Sequence, residues 1–187
     1  RTPVHLQAEM ERAELKAQLA YVDGLTGLKN RLSYNERETK LRDTAVCMII
    51  QLDINNLKTV NDVYGHQEGD RHIINAAQII EKSLGKQGDC YRTGGDEFCI
   101  LLRLPETFGK DAQQKIIADK ARNICQLLKE SYFDDKNAVQ VSASVGIALY
   151  PEDGTGYEAL FARADEAVYA VKEHGKNGFQ FYKNLSE

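Results

Sequence analysis

No stretch of this chain approaches the roughly 18 consecutive apolar residues that a membrane-spanning helix requires, and no secretory pattern opens it. The expectation is a cytoplasmic domain, with any membrane anchor or sensory region lying outside these residues. Basic blocks are missing as well. Twenty-four Lys and Arg against 28 Asp and Glu give a net charge of -4, which disfavours a role that depends on neutralising the many phosphates of a long nucleic acid. A few phosphates on a small ligand remain open. Cysteine is scarce: Cys47, Cys90, Cys99 and Cys125 form no CxxC pair and have no companion His at zinc spacing. With Cys47 and Cys99 inside apolar runs, buried reduced thiols are expected. Internal repeats and low-complexity tracts are absent.

What is present suits one domain. At 187 residues, 42% hydrophobic and 28% charged, the chain is long enough for a sizeable core plus a short appendage. It opens on Arg1 rather than Met, so a longer parent protein is expected. Residues 1–20 are predicted to be a linker helix, since Val4, Ala8, Leu15, Leu19 and Val22 fall near one helical stripe among charged residues. About three heptads leave a coiled coil and an ordinary connecting helix both open, and the stripe needs a partner either way. Residues 21–187 form the predicted domain.

Within it, DGLTGLKNR (Asp23 to Arg31) supplies turn chemistry before a helix from about Arg31 to Asp43. AVCMIIQL (Ala45 to Leu52) reads as a central strand ending at Asp53. A helix from about Glu68 to Leu84 stops at Gly85 and Gly88. Cys90 to Thr93 and Phe98 to Leu104 read as strands joined by Gly94, Gly95, Asp96 and Glu97. A helix from about Asp111 to Glu130, a strand from about Val139 to Leu149, a helix from about Tyr157 to Glu173 and a strand from Gly178 to Tyr182 follow. This is an α+β fold: a ferredoxin-like βαββαβ palm, its helices packed on one face, extended by a C-terminal helix and strand and an N-terminal helix.

That topology sets the end of the first strand beside the hairpin turn and brings Asp53 near Asp96. Two carboxylates at contact distance repel, so either one shares a proton or a cation sits between them. Mg²⁺, which accepts one or two protein carboxylates together with substrate phosphates, suits the ligand count.

RTGGDEF (Arg92 to Phe98) and DINNLKTVNDVYGHQEGD (Asp53 to Asp70) resemble the GGDEF family, the diguanylate cyclases that condense two GTP into cyclic di-GMP. DGLTGLKNR, VSASVGIALYPEDG and RADEAVYAVKEHGKN also match, so the resemblance covers about Tyr21 to Tyr182. It implies two Mg²⁺ per site, with Mn²⁺ as the alternative, held by Asp53, the Ile54 carbonyl and Asp96. Two such metals stabilise the attacking and leaving oxygens. The resemblance further implies that Asp96 helps accept a proton, with Glu97 either supporting the metal or purely structural. It puts Lys58, Lys172 and Lys176 on the phosphates, where charge accumulates. Gly94 and Gly95 would leave backbone N–H groups open to a triphosphate. Asn61 and Asp70 fall on guanine-reading positions and His66 lies near the nucleotide. A carboxylate at Asp70 accepts from an edge that adenine does not present, a preference on the order of 10⁴-fold in favourable cases.

Departures accompany the matches. Asn55 and Leu57 replace an aspartate and a phenylalanine, and Lys176 stands where arginine is frequent, giving up bidentate geometry. The family's product-inhibition RxxD pair falls on GKQG, Gly85 to Gly88, which carries neither charge. The function implied is a diguanylate cyclase that works as a homodimer and lacks that feedback. The alternatives are an inactive GTP-binding or dimerising regulatory module and a template-directed nucleotidyltransferase. The acidic balance disfavours the last.

Overall fold

The computed structural model describes residues 2–36, 46–54, 57–105, 107–131 and 141–186, with 46–54, 58, 59, 141 and 186 described by their backbone alone. The predicted helix tail after residue 36, Asn55 and the first residues of the strand expected from Val139 lie outside these. In chain order the elements are α1 (Pro3–Leu19), β1 (Lys29–Asn30), α2 (Arg31–Asn35), β2 (Val46–Ile54), α3 (Leu57–Tyr64), α4 (His66–Leu84), β3 (Gly88–Arg92), β4 (Glu97–Leu102), α5 (Lys110–Glu130), β5 (Val141–Leu149), α6 (Tyr157–Glu173) and β6 (Gly178–Phe181).

The strands form one six-stranded sheet in the order β1-β3-β4-β2-β5-β6. From β2 to β5 this is the βαββαβ arrangement that the alternation of apolar runs and helical periods implies. β2 is central, antiparallel to both β4 and β5. The outer pairs, β1 with β3 and β5 with β6, are parallel.

Each face of the sheet is covered by helix. On one, α4 and α5 bury Ile80, Ile117 and Ile124 against Phe98 and Ile100 of β4 and Val145 and Ile147 of β5. On the other, α6 brings Leu160, Ala164 and Val168 against Cys99 and Leu101 of β4 and Ala148 of β5, with Tyr34 of α2 and Tyr91 of β3 closing the end. Strand alternation sorts the two sets: even positions of β4 face one core and odd positions the other. The palm helices do share one face, as expected, and the added helix covers the second face rather than simply extending the fold. Its close approach depends on Gly146, where a Cβ would overlap the Ala164 carbonyl oxygen and lie 2.6 Å from the Val168 amide nitrogen.

Two further departures from expectation are local. α3 stands as a separate helix before α4, and Gly65, at φ 87°, makes the junction in a conformation that glycine adopts without strain. α1 has no buried residue: Val4, Leu15 and Leu19 are 73%, 57% and 61% exposed, so its apolar stripe finds no partner among the described residues. The thiols follow expectation where they are described. Cys90, Cys99 and Cys125 are buried thiols outside any disulfide. Burial pushes the Cys90 thiol far up and raises Cys125 to about 11. No helix among the described residues is long and apolar enough to cross a membrane.

Because backbone atoms of α6 stand where a methyl group would go, Gly146→Ala is expected to cost about 2–3 kcal/mol. Urea unfolding checks this; a midpoint unchanged from wild type would show that the helix does not rest on this strand.

Candidate active site

The turn between β3 and β4 is set by the hydrogen bonds that close it. Residues Gly88 to Arg92 pair with Leu102 to Phe98, and the Thr93 amide donates to the Glu97 carbonyl at 3.0 Å. The Thr93 hydroxyl donates to Glu97 Oε1 at 2.7 Å. Glu97 therefore has a structural task, fixing the turn from inside. Asp96 differs: among the described residues its side chain makes no hydrogen bond or ion pair, and it is half-buried.

Arg92 holds the turn from outside. One guanidinium nitrogen donates to the Gly95 carbonyl at 2.8 Å, and the other reaches both Asp23 carboxylate oxygens at 3.0 and 3.1 Å. Asp23 also accepts from the Thr26 amide at 2.8 Å and the Thr26 hydroxyl at 2.6 Å. Burial works against its charge, yet the Thr26 bonds and Arg92 outweigh that and hold its carboxyl below the usual range. The same loop is tied to the end of α1, since Asn30 Nδ2 donates to the Ala20 carbonyl at 2.7 Å. A chain of polar contacts thus runs from the appended helix to the glycine turn. Sequence reasoning missed this link, taking Asp23 as turn chemistry only. Its sole signal was an arginine directly before the turn with no partner nearby in sequence. A cavity of about 360 Å³ flanks this side of the turn, lined by Asp23, Asn30, Arg31, Arg92 and the two glycines among others, and does not include Asp96.

The backbone register brings the predicted residues to one end of the sheet. Gln51 pairs with Glu97, so Asp53, two residues further along β2, is level with the Gly94–Asp96 turn. Asp53 also pairs with Ser142 of β5. Ser144 pairs with Gly178 of the parallel β6, which sets the segment just before Gly178 at that same end. This segment contains Lys176, held in the left-handed region at φ 63°, after Lys172 in the last turn of α6. Lys58 lies in the first turn of α3, close after β2 in sequence, and it is described by backbone only, as are Asp53 and Ile54.

The helix pair α3 and α4 carries the remaining positions. Asn61, on α3, is half-buried and its carboxamide lies against Gly69 of α4, next to Asp70. Asp70 and His66 are exposed on the first turns of α4. Gly94 and Gly95 do not have positive φ, and nothing of the protein lies within 4 Å of a Cβ at Gly95. Neither backbone strain nor crowding from within demands glycine at 95.

The donor set expected from the sequence would be all oxygen: Asp53 with the Ile54 carbonyl at a strand end, and Asp96 in the facing turn. Arg92, the nearest cation in sequence, is engaged with Asp23 and Gly95 instead of Asp96. Such a set fits a hard divalent cation such as Mg²⁺ better than a softer metal that prefers nitrogen or sulfur.

The family model described as "Diguanylate cyclase, GGDEF domain" matches residues 20–178. The chain belongs to the GGDEF family. Among curated GGDEF relatives it is 35% identical over 172 residues to the bifunctional diguanylate cyclase/cyclic di-GMP phosphodiesterase MucR of Pseudomonas aeruginosa, covering 89% of this chain and 24% of that protein. It is 35% identical over 171 residues to the diguanylate cyclase TpbB of the same species, covering 89% of this chain and 38% of that one. The chain spans 22–24% of the length of MucR and of two further curated relatives it matches. Among solved structures, the TpbB GGDEF domain superposes with a TM-score of 0.70 at 31% identity, covering 89% of this chain and 99% of that one. The coiled coil and GGDEF domain of DgcB from Caulobacter crescentus, solved with c-di-GMP, gives 0.76 at 23% identity over 95% and 94% of the two chains, a likeness of fold.

Asp23 ionises more readily folded than unfolded, so its contribution is complete above the ordinary carboxylate range near pH 4 and is lost as pH falls through its lowered folded value. Asp23→Asn is expected to lower stability by about 2 kcal/mol at neutral pH, by leaving the enclosed Arg92 short of its partner. The gap to wild type should narrow on acidification. Urea melts between pH 7 and 3 test this; a constant gap would show that the Asp23 charge is not what holds the turn.

Proposed function

We propose that this chain is a diguanylate cyclase domain, in which each copy holds one GTP and two facing copies join them into cyclic di-GMP. The observation that carries this is the shared level of Asp53, the Gly94–Asp96 turn and Lys176 at one end of the sheet. Acidic and basic residues brought to one level there suit a magnesium triphosphate, whose cation and phosphates need opposite partners. Bound Mg²⁺ would supply Lewis-acid charge at the attacking and leaving oxygens.

The residues divide the work. Asp53, the Ile54 carbonyl and Asp96 hold the cations. Lys58, Lys172 and Lys176 balance the triphosphate while the backbone at Gly94 and Gly95 leaves it room. Asn61 and Asp70 read guanine, with His66 beside the nucleotide. In each half-reaction a ribose 3′-oxygen forms a bond to the α-phosphorus of the facing GTP, the α–β bridging bond breaks, and pyrophosphate leaves. The 3′-hydroxyl proton passes to Asp96 or to water. Orientation across the dimer makes this effectively intramolecular. The exposed stripe of α1 suits a second copy, whose tethering raises the effective concentration.

Feedback through the RxxD pair is absent in this account, and the packing supports it. A Cβ at Gly88 would lie 2.8 Å from the Leu101 carbonyl, and Gly85 has φ 55°. Both positions favour glycine for local reasons.

A second reading, an inactive GTP-binding or dimerising module, is favoured by relatives of 32% and 33% identity named only as cyclic di-GMP phosphodiesterases, NbdA and PdeR. The retained carboxylates argue for catalysis.

With GTP and Mg²⁺, the purified chain is expected to form cyclic di-GMP by mass analysis, to form no cyclic dinucleotide from ATP, and to lose turnover at least about 100-fold in Asp96→Ala. No product at concentrations high enough to dimerise would sink the cyclase reading in favour of the module. Specific activity is also expected to fall on dilution, and more steeply when residues 1–20 are removed. Activity per chain independent of concentration would rule out a site shared between copies.

A further inference from the structure

Gly69 is an unexpected residue for its place. It is buried in the first turns of α4, a 19-residue helix, and its backbone is not in the left-handed region. Helical geometry admits any L-residue there, and glycine is the poorest helix former after proline. Backbone conformation therefore gives no reason for it.

Space does. A Cβ at Gly69 would overlap the side-chain oxygen of Asn61 on α3, and would lie 3.2 Å from both Asn61 Cγ and Leu57 Cδ1. All three are side-chain atoms that can move; none is backbone. A methyl group would fit once the Asn61 carboxamide turned away, so glycine preserves one orientation of that carboxamide rather than the approach of two helices. Gly146, where α6 backbone stands in the way, is the contrasting case.

Asn61 supplies an independent observation. Its Oδ1 is buried and finds no hydrogen-bond partner among the described residues. A buried unpaired carbonyl is costly to keep, and such groups mark places where a ligand or a functional constraint completes the pattern. The carboxamide lies against Gly69, the residue before Asp70, so the two candidate base-reading residues belong to the same helix crossing.

We propose that Gly69 is a positioning residue for base recognition: lacking a side chain, it lets the Asn61 carboxamide lie against the start of α4, at the residue before Asp70, in the orientation that meets guanine. This rests on the guanine-reading role proposed above for Asn61. Gly69 touches no nucleotide itself and acts through Asn61.

The full chain with Mg²⁺ is titrated calorimetrically with non-hydrolysable GTP and ATP analogues, alongside thermal melts. Wild type is expected to prefer the GTP analogue. Gly69→Ala and Asn61→Ala should each weaken GTP-analogue binding about tenfold, the loss of roughly one hydrogen bond. Gly69→Ala should melt at or above the wild-type temperature, since alanine is the better helix former. Gly69→Ala/Asn61→Ala should bind no worse than Asn61→Ala alone. Losses that multiply, unchanged binding in Gly69→Ala, or a lowered melting temperature in either background would assign the glycine to packing and overturn the proposal. A wild type indifferent between the two analogues would overturn the guanine reading beneath it, and is told apart because it needs no variant.

Discussion

The contact between Arg92 and Asp23 is the constraint on which the candidate site depends. A short glycine-rich turn has little to hold its shape, and this one must keep Asp96 level with the end of β2. A planar guanidinium with donors in a fixed fork is suited to that task, because one side grips a carboxylate while the other reaches a carbonyl of the turn. Lysine, a point charge on a flexible stem, would hold one and not the other. The side chains of Arg92 and Asp23 are only 14% and 19% exposed, so their pairing is less screened than a surface bridge and less costly in desolvation than a fully buried one. Thr26 completes the carboxylate's hydrogen bonds, which keeps it charged.

Around that constraint the molecule separates tasks by location. The two cores are made of aliphatic and aromatic side chains sorted by strand alternation. The candidate site residues sit where strands end and turns begin, at one end of the sheet. Glycine marks several of the seams for different reasons: a positive φ at Gly65, a close strand-to-helix approach at Gly146, and room for a neighbouring carboxamide at Gly69. A composition count would treat these as equivalent. Only the surroundings distinguish them.

Much of this was legible in the chain itself. The periods of α4, α5 and α6 and the apolar runs of β2 and β5 define the βαββαβ order, and Asp53 and Asp96 stand out because each interrupts an apolar pattern at a point where a strand must end. α3 escaped notice because eight residues carry barely two turns, too short for a period to separate from a loop. The sequence also did not reveal that α6 lies across the sheet from α4 and α5, since an amphipathic stripe says that a helix packs and not against which face. A glycine inside the strand ASVGIAL was the available hint, because such a residue marks close backbone approach. The pairing of Asp23 with Arg92 spans 69 positions and leaves no local trace.

The concealed sulfur atoms bear on how two copies would meet. Cys90, Cys99 and Cys125 lie inside the cores, and burial disfavours the reactive thiolate at Cys90 and Cys125. Among the described residues, then, no thiol faces outward to be locked by oxidation to its counterpart. Any pairing through these parts of the molecule stays reversible, a balance governed by abundance and by whatever brings the copies together, rather than by the redox state around them.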